Sequence, residues 1–280
     1  MSNKLEPQTY VHGSKLYRKA EKSSDLRALL PLYDNWRAAS LAIAGRSDEE
    51  IAALVTLLNA YKDAVEPVLD ARPNSAQEVL QPSILEEFFE YLFCHLDAEF
   101  ELELLRRPES GFIDLAFNPR SLHDLVSCPA YTIRRKDHDF VIGSSLELTM
   151  TVPGADQSQN DIIVVPAVAI ECKRYLERNM LDECSGTADK VKKATPYCLY
   201  FVVAEFLKMD DAAPEMSRID EIYVLRKQRN SERSALNFTP KPIDAALVID
   251  IYRQVQRHLS RVWWNPQSAL TTGKAFNVPR

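Results

Sequence analysis

Asp161-Ile-Ile-Val-Val-Pro-Ala-Val-Ala-Ile-Glu171-Cys-Lys173-Arg-Tyr175 is an apolar run that ends in a carboxylate and an ammonium two residues apart. In an extended strand, side chains at i and i+2 leave the same face. Glu171 and Lys173 therefore stand side by side, while Cys172 turns away from them. Two charges at the end of a strand otherwise built from Val, Ile and Ala are costly to desolvate unless something pairs with them. A divalent cation and a phosphodiester would do so.

A cation site of this kind needs a second carboxylate, and a neighbouring lysine helps to stabilise charge developing on a phosphoryl group. The adjoining sequence offers three acids. His138 to Thr151 and Ile162 to Tyr175 have the two-residue period of strands, and Pro153-Gly-Ala-Asp-Gln between them is the strongest turn signal of the region. A hairpin pairing residues 139 and 171 is centred on Ala155, inside that loop, and sets Asp139 across from Glu171 on the same face. Asp161 is the alternative first acid, brought back toward Glu171 if Pro166-Ala167 makes a tight turn, although Pro-Ala is a poor two-residue turn. Glu147, nearer the loop, is a third choice. The register favours Asp139.

Outward from this pair the chain changes character. Leu26 to Ala44 has a helical apolar period, and Ser47-Asp-Glu-Glu50 is a capping box that opens a second helix. Ala71-Arg-Pro-Asn-Ser-Ala-Gln77 is a polar break. Ser83 then reads as the cap of an amphipathic helix with Leu85, Phe88, Phe89 and Leu92 on one face. Glu86, Glu87 and Glu90 read as its solvated face, unless one of them reaches a second metal or orients Lys173. A looser region holds Pro108, Pro119 and Pro129. Leu176 to Lys193 is helical in composition. Cys198 to Glu205 suits a buried parallel strand, Ile219 to Arg226 a further strand, and Ile243 to Val262 a terminal helix. The order predicts an α/β fold: a mixed central sheet flanked by helices, with a helical N-terminal region. Residues 1–80 form that region, for DNA recognition or dimerisation, and residues 81–280 the catalytic domain.

Composition narrows the class. An apolar fraction of 46% and a charged fraction of 26% over 280 residues are those of a globular chain with a sizeable core. Only 7 glycines are present, with no G-x-G-x-x-G or Walker pattern, which argues against a Rossmann or P-loop fold. The net charge of -6 leaves local Lys and Arg clusters to set the field at any nucleic-acid face. The start, Met-Ser-Asn-Lys-Leu-Glu, has no apolar signal core, and no run approaches the length of a membrane span. Cys94, Cys128, Cys172, Cys184 and Cys198 make no C-x-x-C pair and read as reduced, mostly buried thiols of a cytoplasmic protein.

Other features have plainer readings. His138 should point away from Asp139's face and be structural. His95, His123 and His258 lack zinc-ligand spacing. Basic clusters lie at 133–136, 190–193 and 225–233; surface solvation is their default, with Arg134, Arg135 and Lys136 the best DNA-contact candidates because they precede the proposed catalytic strand. Trp263-Trp264 reads as a packing anchor.

The order Asp139, hairpin, Val-Ala-Ile-Glu171-Cys-Lys173, helix, apolar strand resembles the PD-(D/E)xK nuclease superfamily. More narrowly, the chain is similar to the restriction endonuclease family that includes BbvCI, through Ser83-Ile-Leu-Glu-Glu-Phe with Tyr91-Leu-Phe, Lys136 to Gly143, Val165 to Leu176 with Met180, and Ile219 to Arg226. The resemblance implies a Mg2+-dependent Type II restriction endonuclease that cuts a short asymmetric site in double-stranded DNA with two subunits, each cutting one strand. It assigns the metal-ligand role to Asp139 and Glu171 and the charge-stabilising role to Lys173. The chain departs from the superfamily in having His138, not Pro, before the Asp. Two rival expectations are a structure-specific repair nuclease and a non-catalytic DNA-binding subunit on the same core.

Overall fold

Five strands lie side by side in the order β1 (Leu105–Phe117), β2 (Tyr131–Thr151), β3 (Ser158–Leu176), β4 (Leu199–Leu207) and β5 (Glu221–Val224). β1, β2 and β3 are antiparallel to one another in turn, while β4 and β5 run parallel to β3. Around them lie α1 (Val11–Ala20), α2 (Ser24–Arg27), α3 (Leu30–Ala42), α4 (Asp48–Asp70), α5 (Leu80–Leu92), α6 (Leu96–Phe100), α7 (Leu122–Ser127), α8 (Arg178–Ala194), α9 (Ala245–Leu259) and α10 (Pro266–Thr272). This computed structural model describes residues 10–72, 79–127, 130–151, 153, 158–234, 238–261 and 266–273. Cys128, Pro129 and Trp263-Trp264 lie outside the described residues.

The parallel pair follows from its sequence. β4 is buried along all but its ends, as a strand covered on both faces must be, and α8 supplies the crossover a parallel connection needs. One sheet face carries Phe140, Ile142, Val168, Ile170, Cys172, Phe201 and Val203, packed in a single apolar cluster with α1, α3, α4, α5 and α9. The other face carries Ala169, Tyr200, Val202 and Ala204 against Leu181, Cys184, Ala188 and Val191 of α8. The mixed sheet with helices on both faces and a helical N-terminal region is the expected fold class. No helix among the described residues is long and apolar enough to cross a membrane.

Several elements differ from their sequence reading, each for a physical reason. The helical stretch from Leu26 breaks into α2 and α3, with Pro31 in the first turn of α3, where a missing N–H costs nothing. The Ser47 box forms as read: Ser47 Oγ accepts from Glu50 N at 3.2 Å, and Glu50 Oε2 from Ser47 N at 2.9 Å. α5 starts at Leu80, ahead of Ser83, because Pro82 fits its first turn. The first part of the region read as loose is β1, and α7 follows it. Pro108 is tolerated because β1 is the sheet's edge strand.

Ser83 is buried inside α5 rather than capping it, and its hydroxyl meets His12 Nδ1 at 2.9 Å. The other His12 nitrogen meets Tyr61 Oη at 2.7 Å, so one imidazole ties α1 to α4 and α5. Burial, with Lys62 and Lys15 nearby, pushes its pKa down to about 3. Folding thus keeps His12 neutral at pH values where the unfolded chain takes up a proton, and stability should fall as pH drops from about 6.5 toward about 3. Urea unfolding of the wild type and His12→Gln isolates this effect. Going from about pH 7.5 to pH 5, the wild type should lose about 2 kcal/mol more than the variant. Parallel pH curves would remove His12 as the cause.

The cluster at 225–233, read as surface, has its first arginine in the interior. Arg226 Nε lies 2.8 Å from Glu205, and its Nη2 lies 3.2 Å from Glu66. Lys62 meets both Glu66 and Glu205 at 2.8 Å. Two cations and two carboxylates thus form a charge-balanced quartet joining α4 to β4 and to the turn after β5. The side chains of Lys62, Glu205 and Arg226 are 0% exposed.

Candidate active site

β2 and β3 pair as Phe140↔Ile170, Val141↔Ala169 and Ile142↔Val168, the register that points Asp139 toward Glu171. Asp139 Oδ2 accepts from Cys172 N at 2.7 Å and from Lys173 Nζ at 3.1 Å. Lys173 Nζ also lies 3.0 Å from Glu171 Oε2. One ammonium therefore sits between the two carboxylates, and Asp139, Glu171 and Lys173 come together as a trio.

Asp161 does not join them. Pro166-Ala167 makes no turn: the ladder passes from Ile142↔Val168 to Gly143↔Pro166, leaving Ala167 as the extra residue of a bulge in one continuous strand. Gly143 permits the close approach there, since a Cβ on it would fall 2.3 Å from Val165 O. Asp161 lies opposite Leu148 and instead accepts from Tyr131 Oη at 2.6 Å, with Arg135 at 3.5 Å. Glu147, opposite Ile162, is exposed and equally separate.

A second bulge corrects the reading of His138. Arg107 pairs with Val141 and Glu109 with His138, so Pro108 of β1 faces two residues of β2, Asp139 and Phe140. The extra residue breaks the alternation and turns His138 to the face that carries Glu171. Its Nδ1 lies 2.9 Å from Glu171 Oε1, and its ring meets Tyr200 edge-on, with centroids 6.0 Å apart. Gly111 makes room for it: a Cβ there would lie 3.1 Å from His138 Nε2.

The electrostatics are those of crowded like charges around one cation. Burial raises the Asp139 carboxyl above the usual range and the nearby Glu171 adds to this, against the pull of Lys173. Burial acts the same way on Glu171, but the His138 hydrogen bond and the Lys173 ammonium overcome it and hold that carboxyl low. Burial opposes the charge on Lys173, yet Asp139 and Glu171 keep the ammonium well above the ordinary lysine range.

α5 does not present a solvated acidic face. Glu86 is buried, meets Lys15 at 3.0 Å, and shares a cavity of about 530 Å³ with Asp139, Lys173, Arg174 and Arg233. Glu87 is wholly buried and accepts from Gly13 N at 2.8 Å and from Tyr91 Oη. Burial, and then the charge of Glu87, push Glu90 up to about 8.

The three DNA-contact candidates line a separate groove of about 530 Å³ between the β1–β2 hairpin and α8. Each is engaged within the chain: Arg134 with Asp114, Arg135 with Ile162 O at 2.9 Å, and Lys136 with Glu183 at 2.9 Å. Sequence reading missed Arg174, adjacent to Lys173 and held by Asp70 at 2.6 and 2.8 Å, and Lys15, which no local pattern marks.

Mg2+ would find hard oxygen donors at Asp139 and Glu171, two carboxylates that share the single Lys173 ammonium. No cluster of three or more His, Cys, Asp or Glu that could enclose a metal occurs among the described residues. Two carboxylates suit Mg2+, which keeps several water ligands and takes others from a substrate phosphate.

A mixed sheet with a two-carboxylate and lysine site where the β2–β3 hairpin meets a parallel strand defines a restriction-endonuclease-like α/β protein. The Bpu10I restriction endonuclease family model matches residues 77–239, and the chain belongs to that family. Among solved structures, the chain is similar to one described as the native BbvCI A2B2 tetramer at low resolution. That match has a TM-score of 0.68 and 21% identity, and it covers 90% of this chain and 97% of the other. No curated protein sequence matches.

Proposed function

We propose that this chain is a Mg2+-dependent Type II DNA endonuclease, hydrolysing phosphodiester bonds at a specific sequence in double-stranded DNA as one subunit of a homo- or heterodimer. The observation that carries this reading is the convergence of Asp139 and Glu171 on Lys173, all within 3.1 Å, in a member of a restriction endonuclease family. The BbvCI structure is described as an A2B2 tetramer, which supports a second nuclease subunit here too. The four described cysteines are free thiols, which suits the cytoplasm.

Asp139 and Glu171 would hold Mg2+, which supplies Lewis-acid polarisation of the phosphoryl group and a lowered pKa for bound water. Lys173 keeps its proton in the grip of both carboxylates, so it serves as a fixed positive charge and donor rather than as a base. Its Nζ orients the attacking water and offsets charge developing on the phosphoryl oxygens during in-line displacement. Asp139 is itself tied to the β3 backbone through Cys172 N, which limits how far the site can loosen. The cavity shared with Lys15, Arg174 and Arg233 gives a polyanion a cationic approach.

Plasmid cleavage with Mg2+, followed by run-off sequencing of the products, tests the reading. Cuts or nicks at one sequence, abolished by EDTA, are the expected result. Cleavage without sequence preference would point to a general or structure-directed nuclease. No cleavage, even with candidate partner chains added, would leave a non-catalytic DNA-binding subunit.

A further inference from the structure

We infer that His138 is a positioning residue that locks the Glu171 carboxylate for cation binding, an inference resting on the reading of Glu171 as a metal ligand. Glu171 spends both oxygens on neighbours: Oε1 on His138 Nδ1 at 2.9 Å and Oε2 on Lys173 Nζ at 3.0 Å. The two partners differ in stiffness. Lys173 is partly open to solvent and sits on a flexible stem with many rotamers, whereas the His138 side chain is 0% exposed. Once a substrate phosphate draws on the ammonium, the buried imidazole still fixes the plane of the carboxylate.

Three independent features hold the imidazole in place. The bulge opposite Pro108 aims it across the sheet at Glu171, Tyr200 packs edge-on against its ring, and Gly111, lacking a Cβ, leaves room for its Nε2 edge. Among the described residues Nε2 is buried with no hydrogen-bond partner. Only Nδ1 faces an acceptor, so the hydrogen there is the one the site uses. A glutamate held this way meets a cation already oriented, as outer partners of metal ligands do elsewhere.

Mn2+ binding to the full chain, followed by electron paramagnetic resonance, reads this without any cleavage. His138→Leu should weaken Mn2+ binding by about 10- to 100-fold. His138→Asn, whose amide nitrogen falls near the Nδ1 position, should bind Mn2+ like the wild type. His138→Gln, with its donor one methylene further out, should behave like the Leu variant. Cleavage by His138→Leu should recover as Mg2+ is raised, because the loss lies in metal affinity. Wild-type affinity in both the Leu and Gln variants would overturn the inference. Glu171→Gln is the control for the parent reading: if it binds Mn2+ like the wild type, Glu171 is not a ligand and both readings fall together. Should the Leu variant fail to fold, the Asn–Gln difference decides alone.

Discussion

Lys173→Ala should lower the single-turnover rate of DNA cleavage by about 10²- to 10⁴-fold. Affinity for the same DNA, measured with Ca2+ in place of Mg2+, should stay close to that of the wild type. The size of the effect follows from position. Lys173 Nζ is the one ammonium within 3.1 Å of both Asp139 and Glu171 among the described residues, and the two carboxylates keep it charged. Its removal takes away a preorganised positive charge where negative charge develops in the transition state, but few of the contacts that hold a duplex. Lys173→Arg should not restore the rate, since a planar fork cannot occupy the point between two carboxylates that a compact ammonium fills. A Lys173→Ala protein that cleaves at the wild-type rate would remove the trio from the chemistry.

Lys62→Met should destabilise the fold by about 3–5 kcal/mol, the usual cost of removing one partner from a buried ion pair. Lys62 and Glu205 have no exposed side-chain surface, and Lys62 touches two carboxylates at 2.8 Å. Without Lys62, Arg226 alone faces Glu66 and Glu205, and the interior holds an excess negative charge. Lys62→Met combined with Glu205→Gln restores charge balance, so urea unfolding should show the double variant losing less than the two single losses added together. Additive losses, or a Lys62→Met loss under about 1 kcal/mol, would mean that the quartet is held by surrounding packing and its charges contribute little. Because the quartet joins α4 to β4, the same experiment measures how firmly the N-terminal helices are tied to the sheet.

How legible these features were depended on where their causes lie in the chain. β3 is legible because its apolar run and terminal charges are local, and Asp139 because the turn signal centred on Ala155, most of which lies outside the described residues, predicts the pairing seen at Phe140↔Ile170. That register holds through Ile142↔Val168 and then slips by one at Ala167. The slip lies between the loop and the site, and the pairing next to the site is the one the sequence predicts. The causes of the other features lie on distant segments. β1 read as a loop because Pro108 and its charged neighbours resemble one, and only its place at the sheet edge makes a strand of them. The face taken by His138 is set by a bulge against the adjacent strand, opposite Pro108. Glu86 and Glu87 are buried because α1 lies over α5, and Arg226 because α4 supplies a carboxylate to it. No window of sequence around those residues contains either fact.

The fault opposite Pro108 also bears on how steady the centre is. Proline has no N–H and a fixed φ, and Pro108 is the β1 residue that faces the two residues of the bulge. The surplus residue of β2 thus lies opposite the one proline of β1, three residues in from the start of that strand. His138 and Asp139, successive in sequence, are thereby aimed at Glu171 and Lys173 together, which regular alternation would forbid. Alignment of the proposed catalytic centre follows the register of an outer strand that contributes no side chain to it, much as a keyway sets a shaft without carrying its load.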